Sequence, residues 1–470
     1  VVILPWTTAV VLAGALLLGG ANAQGGIGDA LAILVAIPLL AWSAYHHISS
    51  RDGQWAALAL AALTLALPLA QIVTWSGAHD PFAAIHATWQ VDWVRVFGAT
   101  PPATWSLAPD ATIRTLFSFI PPLAVFLAVL ALDARGRRTL HHILVGLIVF
   151  CAAWGILQAI LGPRLVASWH SQPVGDQARG FFSNRNHFAT LMVFGIALAG
   201  AGLIAAIRRM VADVEMARHG PVVILWTMLL LLPLVGLMLS VSRAGVVLGG
   251  MVLIALLALT LFGIGREAHG TRRWFVSLSV LGCVVAVQMG LWGVLERFEV
   301  DPFDDARVYV QRITLDAAED AQPWGTGLGS FRRVYEQREP LDTVLDVYVN
   351  RAHNDWIEFY LEAGTPGLAL IALWLGWWAW RVARGMRDPA LSGPGATAAR
   401  LLRAAAFFAL AALAIHSLVD FPMRTIAIAT VAAALLAFTV RPTRGPDEDR
   451  HPPRIEDPHP RSGRRLVLIQ

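Results

Sequence analysis

Apolar runs of about twenty residues recur almost from one end of the chain to the other, and that spacing restricts it to one architecture. Wound as an α-helix, roughly 17–25 apolar residues cross the ~30 Å hydrocarbon layer of a bilayer. No water inside lipid satisfies backbone N–H and C=O groups, so a spanning segment is either a helix or a strand of a closed barrel. Barrel strands alternate apolar and polar residues over about ten positions, whereas these runs are continuous. The expected fold class is therefore all-α, an integral membrane bundle of about twelve transmembrane helices. The spans fall near residues 2–20, 27–46, 55–74, 112–132, 139–161, 186–207, 221–241, 244–265, 274–295, 354–380, 400–418 and 421–440. Composition agrees: 56% of the 470 residues are hydrophobic and 14% are charged, far from the balance of a soluble domain. The first run has a second reading, as a signal-peptide core ending at Ala21-Asn22-Ala23. Either reading orients the later spans alike.

Charge sets the sidedness. All 36 basic residues are Arg. With a cytoplasmic N-terminus, Arg51, Arg135/Arg137/Arg138, Arg208/Arg209/Arg218, Arg266/Arg272/Arg273 and Arg381/Arg384/Arg387 fall in loops on one side. The Arg-rich tail from Arg441 joins them, as the positive-inside rule requires. The pI of 9.6 follows from that topology, and no nucleic-acid partner is expected. The domain organisation is then 1–295 for helices one to nine with an outer loop at 75–111, 296–353 for a large outer loop, 354–440 for helices ten to twelve, and 441–470 for a disordered cytoplasmic tail. Within the large loop, Asp305 to Asp316 has helical spacing and Pro323 to Gly329 is turn-rich. Cys151 and Cys283 lie in apolar runs and read as small buried hydrophobes.

Polar groups gather on the outer face. Ser183-Asn184-Arg185-Asn186-His187 opens the sixth span, where Ser183 or Asn184 suits a helix cap. Arg185 there opposes the helix dipole, a conflict that a bound anion removes. Ser242-Arg243-Ala-Gly245 separates two apolar runs, as a plain hairpin turn or as an Arg at a cavity mouth. His416 and Asp420, in a stretch running on through Phe421 and Pro422 to Arg424, are four residues apart and share a helical face. A structural hydrogen bond between them competes with a ligand-facing role.

The densest stretch is Arg351-Ala-His353-Asn354-Asp355-Trp356-Ile-Glu358, followed by Glu362-Ala-Gly-Thr-Pro-Gly367. It reads as an interfacial helix start with a kink. Its chemical reading makes His353 a proton acceptor oriented by Asp355, Glu358 or Glu362. A metal site needs a second His at ligand spacing, which the stretch lacks. Gly325-Thr-Gly327-Leu-Gly329 has no strand-turn-helix context for a nucleotide loop.

Taken in order, Asn184 to Ala189, Ser242 to Gly245, Arg307 to Arg312, Pro323 to Phe331, Ala352 to Asp355 with Glu362 to Gly367, and His416 to Pro422 resemble the bacterial O-antigen ligase and polysaccharide polymerase superfamily. The resemblance runs from about residue 140 to 440. It implies a GT-C-like membrane glycosyltransferase of the bacterial inner membrane, with a large periplasmic loop before the tenth helix and an active site facing the periplasm. Such an enzyme moves a glycan from a polyprenyl-diphosphate-linked oligosaccharide donor to a glycan or lipid A-core acceptor, within membrane lipid and without a cofactor or metal. On this resemblance Arg185 and Arg243 match donor-diphosphate positions, and His353 matches the essential loop-to-helix His. Asn184, Asn186, His187, Arg307, Arg312, Trp324, Asn354, Asp355, Asp420 and Arg424 are the accompanying candidates for substrate contact. Arg forks suit phosphate oxygens. Trp324, Phe331 and Trp356 suit either sugar faces or an interfacial belt. A multi-span transporter is the competing class. The lack of a repeated half and the one-sided polar residues favour the enzyme.

Overall fold

A run of apolar side chains can be buried in lipid only if its backbone bonds to itself, and every named element is accordingly a helix. The computed structural model describes residues 3–22, 25–50, 53–74, 82–162, 177–213, 216–263, 302–340, 349–386 and 394–442. In chain order the helices are α1 (Leu4–Leu18), α2 (Ile27–Ser49), α3 (Trp55–Gln71), α4 (Ala83–Phe97), α5 (Pro109–Ser118), α6 (Ile120–Ala131), α7 (Ala134–Leu161), α8 (Arg185–Ala212), α9 (Gly220–Leu239), α10 (Arg243–Gly263), α11 (Pro302–Asp320), α12 (Phe331–Arg338), α13 (Asp355–Met386), α14 (Pro394–His416) and α15 (Ile426–Thr439).

Eight helical segments among the described residues are long and apolar enough to cross a membrane, and α1, α3 and α15 are shorter apolar helices. Together they coincide with eleven of the expected spans. The expected ninth span, 274–295, lies outside the described residues, as do Cys283 and the tail from residue 443. Cys151 is buried with a free thiol. The expected span at 112–132 begins earlier, at Pro109, and breaks at Phe119 between α5 and α6. Pro121 and Pro122 cause this, since neither offers an N–H to the preceding turn.

The bundle is organised around α8. Its most apolar window is 94% buried, against 17% for α9, so α8 is the central helix and α9 a peripheral one. Small residues such as Ala197, Ala199 and Ala201 line it and let neighbours approach closely. Arg137 of α7 is buried far from the polar face and caps the C-terminal end of α15 by donating to the carbonyls of Ala437 and Val440. That end of the bundle is opposite the one carrying Arg424, which precedes α15.

The two long loops fold together over the other end. Trp89 and Trp93 of α4, Val310 of α11, Phe331 and Tyr335 of α12, and Leu361 of α13 form a hydrophobic core separate from the bundle's. The expected helix at 305–316 is present within α11, and the turn-rich 323–329 segment is a loop. That loop is tied to the bundle through its backbone: Leu328 N–H donates to Gln71 Oε1 at 2.9 Å and Thr326 N–H to Leu361 O at 2.9 Å. The expected kink in α13 is also present. Gly364 has φ 53° and ψ −155°, a region that only glycine enters without strain. A Cβ there would lie 2.4 Å from Pro323 O.

Gly364→Ala should therefore cost at least about 1–3 kcal/mol and loosen the 323–331 loop. A fall in the thermal midpoint of the detergent-solubilised protein measures it; an unchanged midpoint would show that the kink tolerates a side chain.

Candidate active site

Two arginines open two neighbouring helices at the same level. Asn184 caps α8, its Oδ1 accepting from Asn186 N–H at 2.8 Å, as the sequence suggested. Ser242 caps α10, its Oγ accepting from Gly245 N–H at 3.2 Å, after a turn in which Val241 has φ 53°. A Cβ on Gly245 would lie 2.6 Å from that of Ala189, and one on Gly200 would lie 2.5 Å from Leu256 Cδ1. The two helices therefore run side by side in the same direction. Arg185 and Arg243, both half-buried, sit at their adjoining N-termini.

His353 stands at this same end. It has φ 51°, a left-handed conformation uncommon for a side-chain-bearing residue, and its backbone carbonyl accepts from Gln311 Nε2 at 3.1 Å. Its Nδ1 lies 3.8 Å from Asp420 Oδ1, and His187 Nε2 approaches the same oxygen at 3.8 Å. Phe421 stands edge-on to both rings, with centroids 5.1 Å from His353 and 4.9 Å from His187. Asn186 Nδ2 donates to Asp420 Oδ2, and Phe421 N–H donates to Oδ1 at 2.8 Å. Exposure separates the imidazoles: His353 retains 25% of its side-chain surface, His187 none. His353 is thus the accessible imidazole of the two, while His187 and Asp420 lie behind it. His416 Nδ1 pairs with Thr190 Oγ1 at 2.8 Å. The side-chain bond to Asp420 weighed from the sequence is replaced by a backbone one, Asp420 N–H to His416 O at 3.0 Å.

The carboxylates expected to orient His353 are engaged elsewhere. Arg424 donates from Nη1 to Glu362 Oε2 at 2.6 Å, and its Nε lies 3.4 Å from Glu358 Oε1 and 3.5 Å from Asp355 Oδ1. Arg351 Nη1 adds a 2.9 Å bond to Glu358, whose other oxygen accepts from Ala352 N–H at 2.9 Å. Asp355 Oδ2 accepts from Ser417 Oγ and from Met423 N–H at 2.9 and 3.1 Å. Asn354 caps α13 by accepting from Trp356 and Ile357 N–H, and Nδ2 donates to Leu418 O at 2.9 Å. Asn354, Asp355 and Arg424 thus anchor the loop that carries His353. The residue beside its imidazole is Asp420, sixty-odd positions away, which local spacing around His353 did not indicate.

The remaining candidates divide. Arg307 is half-buried one helical turn before Gln311, on the α11 face nearest His353, while Arg312 is exposed on another face. Trp324 packs edge-on to Phe82 and Trp105, and its carbonyl accepts from Trp105 Nε1 at 3.1 Å. Phe331 is 1% exposed in the outer core and is no platform for a sugar; Trp356 is exposed, its Nε1 donating to Ala414 O. Below the ion network an apolar groove of about 440 Å³ descends between α6, α13, α14 and α15, lined by Phe126, Trp374, Leu410, Ile426 and Leu436, with Asp355 and Arg424 at its polar end.

Residues 228–372 match the family model described as O-antigen ligase. That match bears out the resemblance read from the motifs. With the eight long apolar helices, the chain is a multi-pass membrane protein similar over this segment to O-antigen ligases. The segment contains Arg243, Arg307 and His353; Arg185 and Asp420 lie outside it and are joined to it only by the fold. No curated protein matches the chain at a significant level.

Burial is the largest influence on Asp420 and disfavours its ionised form, yet the imidazoles of His187 and His353 outweigh it and hold the carboxyl well below the usual range. A depressed folded-state pKa stabilises the fold above the unfolded value, 3.8, and the contribution disappears as pH falls through the folded value. Asp420→Asn should thus be less stable than the parent above about pH 5, with the gap closing below about pH 4, as read by chemical denaturation across pH. A gap independent of pH would contradict the assignment. Arg424→Ala should cost about 3–5 kcal/mol by leaving buried Glu362 and Asp355 without a cation and Glu358 with Arg351 alone. Arg424→Lys should recover part of the lost thermal stability.

Proposed function

We propose that the chain is a polyprenyl-diphosphate-dependent glycosyltransferase of the O-antigen ligase or polymerase type, acting at the periplasmic face of the bacterial inner membrane. One observation carries this reading: Arg185 and Arg243 at two adjoining helix N-termini share an end of the bundle with the accessible, carboxylate-backed His353. Helix N-termini and guanidinium groups both attract an anion, so their combination suits a diphosphate. Guanidinium forks remain charged throughout and bind phosphate oxygens bidentately, which supplies leaving-group stabilisation without a metal.

The chemistry follows from where the charges lie. An acceptor hydroxyl oxygen attacks the anomeric carbon of the donor sugar, and the bond from that carbon to the carrier's diphosphate oxygen breaks. The electron pair leaves with the diphosphate, whose growing charge Arg185 and Arg243 offset. The hydroxyl proton passes to His353. Asp420 on the Nδ1 side favours the tautomer with its proton there, leaving Nε2 as the base. As the imidazolium forms, Asp420 stabilises it. Asn186 and His187, which hold Asp420, act as positioning residues, and Gln311 holds the backbone carbonyl of His353. The apolar groove suits the isoprenoid chain of the carrier, whose length needs a continuous apolar lining.

His353→Ala should lower transfer from a lipid-linked oligosaccharide donor by about 10²- to 10⁴-fold, with the protein still inserted and monodisperse. Full activity in that variant would refute the assignment. Arg185→Lys and Arg243→Lys should raise the donor KM although charge is kept, because an ammonium cannot fork across two phosphate oxygens.

A further inference from the structure

On the same end of the bundle, but across the 323–331 loop from the ion network, lies a cleft of about 590 Å³ between α4, the start of α5, and α12. It uses none of the residues assigned above. Its size is that of a small-molecule site, roughly 300–1,000 Å³. One wall is aromatic: Trp93 and Phe97 pack with ring centroids 4.8 Å apart, and Phe97 is 37% exposed. The other walls are planar ion pairs. Asp110 is gripped through both oxygens, by Arg114 and Arg333 at 3.1 Å each, and Arg332 Nε meets Glu336 Oε1 at 2.9 Å.

We propose that this cleft is a glycan subsite that holds the sugar chain of the donor beyond the sugar bonded to the diphosphate. The inference rests on the glycan-transfer reading and deepens it. A sugar presents an apolar C–H face and a rim of hydroxyls that both donate and accept. The cleft offers the exposed Phe97 ring, backed by Trp93, beside guanidinium donors and carboxylate acceptors. A lipid chain finds no continuous apolar lining here, unlike in the groove beneath Arg424. A polyanion meets Asp110 and Glu336, so three arginines against two acids suit a neutral or weakly acidic glycan. Gly329 lines the cleft, and two residues on, Phe331 N–H donates to Glu362 Oε1 at 3.2 Å. Glu362 in turn pairs with Arg424. The cleft and the active site are therefore built on two sides of one loop, as a chain bound at both requires.

The test uses the full-length protein in nanodiscs and, as probe, carrier-free oligosaccharide released by mild acid from the lipid-linked donor pool of the producing cells. Phe97→Ala and Arg332→Ala, both at exposed positions, should each weaken its binding by about three- to tenfold. His353→Ala should bind it as the parent does. In turnover the first two variants should raise KM for a donor bearing a long glycan and leave KM unchanged for a donor bearing one sugar. Unchanged affinity in both variants, each eluting as the parent does, would overturn the subsite. If the parent transfers glycan yet does not bind the carrier-free oligosaccharide, the subsite falls and the proposed function stands. Binding that depends on Phe97 and Arg332 without any transfer would refute the function and overturn the donor role, leaving only a glycan-binding cleft.

Discussion

The loops that carry His353 and Asp420 depend on a buried cation, Arg424, held by Glu362, Glu358 and Asp355. Three carboxylates on successive turns of α13 would repel one another out of water. One guanidinium draws them together, and Arg351 shares the load at Glu358. Each member also fixes a different stretch of backbone. Glu362 holds Phe331 N–H at the end of the 323–331 loop, Glu358 holds Ala352 N–H beside His353, and Asp355 holds Met423 N–H beside Asp420. An ion cluster of this kind adds little net stability compared with packed hydrocarbon, but it fixes geometry, because any other arrangement strands a charge. Here it fixes the two loops that face His353 and Asp420 toward each other.

That constraint explains a division of labour that residue types alone do not. His187, His353 and His416 all lie near Asp420 or the helix that precedes it, yet their surroundings differ. His416 is spent on Thr190 and His187 has no accessible surface. His353 alone of the three combines a carboxylate neighbour with exposure to solvent. Its left-handed backbone follows from its place between two anchored groups, Ala352 N–H on Glu358 and the Asn354 cap of α13. Strain at such a residue persists only where the surroundings over-determine it, as they do here.

Helices were legible in the sequence because the bilayer length and the 3.6-residue turn leave few alternatives for long apolar runs. The cap at Asn184 and the kink at Gly364 were legible too, since each is a local rule acting over four or five residues, whereas the Ser242 cap of α10 was hidden in what read as a plain turn. What local rules could not supply was the partner of His353. Asp355, Glu358 and Glu362 are its neighbours in sequence, but a helix beginning at Asp355 carries them onto the face that meets Arg424. Asp420 comes to His353 through the packing of α13 against the 417–425 loop, a contact with no periodic signature. The cleft at Trp93 and Phe97 escaped notice for the same reason: its walls come from α4, α5 and α12, and no single stretch carries a motif.

Placement of the two arginines shows how the fold resolves a conflict that the sequence poses. A cation at a helix N-terminus is unfavourable by a few tenths to one kcal/mol, and α8 and α10 each begin with one. Their close, parallel packing brings the two helix ends together, so each end adds its positive potential to the other's. Stability alone would place an acid at either position. Under the proposed function, a diphosphate at the two helix ends would draw on both of their potentials and on both guanidiniums as the leaving group gains charge.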